Sequence, residues 1–96
     1  MDVGPRLTRW IERSFSPGRA EQVLATLRDL PPDVIGGQDV ERIQAALVID
    51  TGGDWDAFQR MLALAKCDWR DLLVSADLGD EGWRDRLDEV LGSRRR

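Results

Sequence analysis

Asp39-Val40-Glu41-Arg42-Ile43-Gln44-Ala45-Ala46-Leu47-Val48-Ile49-Asp50 decides the fold. Asp39 suits a helix N-cap, where its carboxylate can accept from a free backbone N–H. Val40, Ile43 and Leu47 then recur at helical spacing. From Ala45 to Ile49 the segment is apolar on every side, as expected of a helix at the centre of a domain. The alternative is a short buried strand, because Leu-Val-Ile is β-prone. Thr51-Gly52-Gly53 closes the segment, with glycine supplying a left-handed stop.

Working toward the N-terminus, Pro31-Pro32-Asp33-Val34-Ile35-Gly36-Gly37 reads as the clearest loop. The prolines end the preceding helix because neither can donate a backbone hydrogen bond. Val34 and Ile35 are apolar residues in a segment expected at the surface. They pack down as a lid on the core or are offered to a partner. Before the loop, Val23, Leu24, Leu27 and Leu30 stripe a helix that Ser16 caps and Pro17 starts. The first helix covers about Gly4 to Phe15, with Val3, Leu7, Trp10, Ile11 and Phe15 on one face. Arg6, Arg9 and Arg13 fall within roughly 60° of one another on the helical wheel, away from Leu7 and Ile11.

Toward the C-terminus, Trp55, Trp69 and Trp83 recur at even spacing, each preceded by acidic residues: Asp54, Asp68 and Glu81. Each unit reads as an acidic cap, a tryptophan in the first turn and an amphipathic helix. The tryptophans are expected in the core, Trp55 and Trp69 largely buried. The functional alternative is a stacking platform, which wants interleaved basic residues. The whole chain therefore predicts an all-α fold, a compact orthogonal bundle of about five to six short helices. Residues 1–93 form one domain and Arg94–Arg96 a basic tail.

Ninety-six residues suffice for one modest core, and the hydrophobic share of 42% and charged share of 33% suit a globular domain. The net charge of −4 disfavours nucleic acid as a general partner, since that requires a basic footprint. A single cysteine, Cys67, forbids an intramolecular disulfide and points to a reducing compartment, the cytoplasm. Met1 to Pro5 lacks the pattern of a signal peptide, and no apolar run is long enough to span a bilayer.

The chain has no histidine, so the usual catalytic base and metal ligand are both missing. Cys67 stands beside Asp68, a poor setting for a thiolate. Asp77 to Asp88 partly follows a calcium loop: Gly82 fits the sixth position, but Gly79 fails the third. We therefore expect no cofactor, no metal and no catalysis. The leading expectation is a protein-interaction or regulatory module, acting on another protein or on a second copy of itself. Its candidate surface comprises Val34, Ile35, Gly36 and Gly37. The alternative is a nucleic-acid-associated regulator using Arg6, Arg9, Arg13 and the tail. A small carboxylate-based enzyme ranks third.

Leu30-Pro31-Pro32-Asp33-Val34-Ile35-Gly36-Gly37-Gln38-Asp39 and Asp68-Trp69-Arg70-Asp71-Leu72-Leu73-Val74 resemble a family of small, uncharacterised helical bacterial proteins. The resemblance extends from about Phe15 to Gly92. It implies a helical fold, and it brings no activity and no site residue with it.

Overall fold

The structure is a computed structural model and describes residues 2–92. It contains α1 (Pro5–Ser14), α2 (Pro17–Arg28), α3 (Pro32–Ile35), α4 (Val40–Ala46), α5 (Trp55–Cys67), α6 (Trp69–Ser75) and α7 (Trp83–Leu91). No strand occurs among the described residues, so the fold is all-α. The radius of gyration is 12.1 Å. A compact chain of this length should give about 12.5 Å.

The central segment is buried continuously from Ile43 to Ile49. Its helix is shorter than expected, ending at Ala46 rather than near Asp50. β-Branched Val48 and Ile49 lose side-chain freedom in a helix. Here the N–H groups of Val48 and Ile49 both donate to the Ala45 carbonyl, closing the segment as tight turns. The Thr51 hydroxyl donates to Val48 O at 2.7 Å, and Gly52 and Gly53 take φ of 61° and 83°. Gln44 is buried within this apolar surround, and its Nε2 donates to Leu27 O.

α3 is the additional helix. Proline at the first helical position starts a helix as readily as it stops the one before. Pro31 and Pro32 do both, and one turn forms before Gly36 ends it at φ 60°. The turn directs Val34 and Ile35 inward, where they are 4% and 5% exposed. Trp69, at the start of α6, lies against Gly36, so closely that a β-carbon there would meet its indole nitrogen.

Three acidic caps form as expected. Asp39 Oδ1 accepts from Arg42 N, Asp54 Oδ1 from Asp56 N, and Asp68 Oδ1 from Arg70 N. Ser16 occupies the N-cap position of α2, but its side chain caps nothing; the fixed φ of Pro17 starts that helix without it. The third tryptophan unit also departs from the pattern. Gly82 occupies the cap position of α7, while Asp80 Oδ1 accepts from Gly82 N one turn earlier. Trp83 is the buried member of the set, at 7% exposed. Trp55 and Trp69 are half-buried, not enclosed as expected, because each packs on the rim of the core.

Candidate functional site

Arg6 does not belong to a solvated basic face. It is 6% exposed, wedged where α1 meets α4 and α7. Its Nε and Nη2 donate to the two carboxylate oxygens of Glu41 at 3.1 and 2.7 Å. Its Nη1 donates to Asp88 Oδ1 at 2.6 Å and to Gly92 O at 2.7 Å. The fork geometry matches a carboxylate edge, which an ammonium group could not do. Hydrogen bonding to Glu41 outweighs burial and, with Asp88, holds the guanidinium charged well above its ordinary range. Arg9 and Arg13 are exposed on α1, so the basic face retains two of its three expected members. Arg94–Arg96 lie outside the described residues.

Two further arginines secure the turn between α6 and α7. Arg42 donates through Nε and Nη2 to Leu78 O, at 2.9 and 2.7 Å, and through Nη1 to Gln38 Oε1. Arg86 donates to Ala76 O at 3.0 Å and to Asp50 Oδ1 at 3.2 Å. Burial, and then the neighbouring Arg84 cation, lower the Arg42 pKa.

Basic groups do accompany the tryptophans: Arg70 and Arg84 directly follow Trp69 and Trp83 in the chain, whereas Arg19 and Arg42 come from other helices. The guanidinium carbon of Arg19 lies 4.4 Å from the Trp55 ring centre, and those of Arg84 and Arg42 lie 4.4 and 5.0 Å from Trp83. Arg70 lies 5.5 Å from Trp69. These are cation–π contacts within the protein, so ring faces that would stack on a base already carry a partner.

The residues expected to form a docking loop are placed differently. Val34 and Ile35 are lid residues, buried beneath their own turn, while Gly36 and Gly37 remain at the surface. The Asp77 to Asp88 stretch forms an acidic corner lined by Asp77, Asp80, Gly82, Asp85, Arg86 and Glu89. Arg86 sits in it, 3.9 Å from Asp77. Among the described residues no three acidic, cysteine or histidine side chains are grouped to hold a metal ion. Cys67 is exposed. No helix among the described residues is long and apolar enough to cross a membrane.

Among the described residues, α2 instead borders two open grooves. The first, about 350 Å³, runs between α1 and α2 and is lined by Glu12, Pro17, Ala20, Glu21 and Leu24. The second, about 360 Å³, runs between the end of α2 and α5, lined by Ala25, Thr26, Asp29, Leu30, Pro31, Leu62 and Lys66. Sequence patterning missed both, because each needs two helices placed side by side. One signal was present: Pro17 and Ala20 extend the apolar stripe of Val23, Leu24, Leu27 and Leu30 toward the start of α2. No protein-family model, curated protein or solved structure matches this chain.

Proposed function

We propose that this protein is an interaction module that docks a protein partner on the exposed side of α2, in the reducing setting of the cytoplasm. The observation that carries the reading is the pair of grooves flanking α2, each with apolar residues in its lining and charged residues beside them. Helices and extended peptides bind surfaces of this kind by inserting a few apolar anchors between polar contacts. The chemistry of the remaining groups favours binding over catalysis. The chain has no histidine to activate a nucleophile, and its one thiol, Cys67, is exposed beside Asp68.

The test uses two surface variants. Ala25 is exposed and lines the second groove. Val74, 73% exposed, lies on α6 and lines neither groove. A partner captured from the source cell is identified, purified and titrated calorimetrically. Ala25→Arg should weaken it about tenfold or more, and Val74→Asp should leave it unchanged. The opposite ranking would remove α2 as the docking face.

A further inference from the structure

We propose that the α1–α2 groove binds a basic peptide segment by taking in one arginine side chain. This rests on α2 being the docking face and names the chemistry of the partner. Exposed Pro17 forms an apolar wall for the methylene stem, and Ala20 and Leu24, 4% and 9% exposed, close the bottom of the groove. Glu12, from α1, and Glu21, from α2, place one carboxylate on each helix bordering the groove. Both are exposed, and neither makes an ion pair or hydrogen bond among the described residues. A guanidinium has five N–H donors in a planar fork and can serve two carboxylates at once. A lysine would fill the same groove with a point charge and weaker geometric demand. The net charge of −4 favours the approach of such a ligand.

The acidic corner between α6 and α7 carries more carboxylates but is the poorer receptor. Its lining holds no apolar side chain, and Arg86 already supplies a cation there. The groove, by contrast, pairs unengaged carboxylates with an apolar floor. That pairing is what an arginine side chain, charged at one end and aliphatic along its length, recognises.

The probe is a blocked peptide made of two Leu-Arg-Ala-Leu-Arg-Ala repeats, titrated into the isotopically labelled protein and followed by amide chemical shifts. A twin with glutamate for arginine is the control. Saturable shifts should centre on Glu12, Ala20, Glu21 and Leu24 and should collapse at about 0.5 M salt, where exposed charges are screened. The Glu12→Gln, Glu21→Gln double variant should keep the native melting temperature and bind the peptide about tenfold or more weakly. The inference is overturned by any of three results: no saturable shift, shifts centred on the Asp77–Glu89 corner, or equal binding by the double variant. Its failure is separable from that of the docking face. A partner that responds to Ala25→Arg but ignores both glutamine substitutions leaves α2 as the face and removes the arginine receptor.

Discussion

Replacing Arg6 with methionine keeps most of the side-chain volume and removes the charge. Three acceptors then lose a cation. Glu41, whose side chain is only 14% exposed, bears most of the cost because it remains charged and poorly hydrated. Asp88 is 46% exposed and regains water, so it contributes under about 1 kcal/mol. Breaking a buried pair by removing one partner costs about 3–5 kcal/mol, and with Asp88 rehydrated we expect ~3–4 for Arg6→Met. For a domain of this size the melting temperature should fall by roughly 15–25 °C. Adding Glu41→Leu to the same variant should recover part of that loss, because the buried carboxylate that Arg6 served is removed with it. Urea unfolding followed by tryptophan fluorescence measures all four corners of the cycle, with an expected coupling of about 2–3 kcal/mol. A loss below ~1 kcal/mol for Arg6→Met, or additive effects of the two substitutions, would refute this account of the clasp.

Trp83→Ala should be the most damaging of the three evenly spaced tryptophan truncations, at about 3–5 kcal/mol, and half-buried Trp69→Ala should cost roughly half of that; chemical denaturation ranks them. Gly36→Ala combines a left-handed backbone with a methyl directed at the Trp69 indole, so a loss of about 1–3 kcal/mol and altered tryptophan emission are expected. Excess calcium followed by a chelator should move the melting temperature by less than about 1 °C, since Arg86 occupies the acidic corner and bound cation would be required for linkage. A shift of many degrees would restore the metal-loop reading of Asp77 to Asp88.

Local signals in the chain foretold local structure. Asp39, Asp54 and Asp68 cap the helices they precede, and Gly36, Gly52 and Gly53 take left-handed backbone where helical runs stop. The Pro31-Pro32 pair misled because proline carries two meanings: it ends one helix and opens the next, and only the packing of Val34 and Ile35 selects the second. Arg6 misled for another reason. The helical wheel groups it with Arg9 and Arg13, but its partners Glu41 and Asp88 are 35 and 82 residues away, beyond any local pattern. The tryptophans share a first-turn position yet differ in burial, since depth depends on which neighbouring helix covers the ring. The same holds for the α1–α2 groove. Pro17, Ala20 and Leu24 were visible as apolar residues, but the pairing of Glu12 with Glu21 exists only once two helices lie side by side.

The Arg6–Asp88 contact has a consequence for how the protein is made. It joins residues 82 positions apart, so α1 has no anionic partner on α7 until Asp88 has been synthesised. At ordinary synthesis rates that interval is about 4–16 s. During it, α1 lacks the contact with α7 that completes its surroundings. Arg6 keeps a cation beside the apolar stripe of α1 throughout, which helps the nascent segment to stay in solution and discourages burial against the wrong surface.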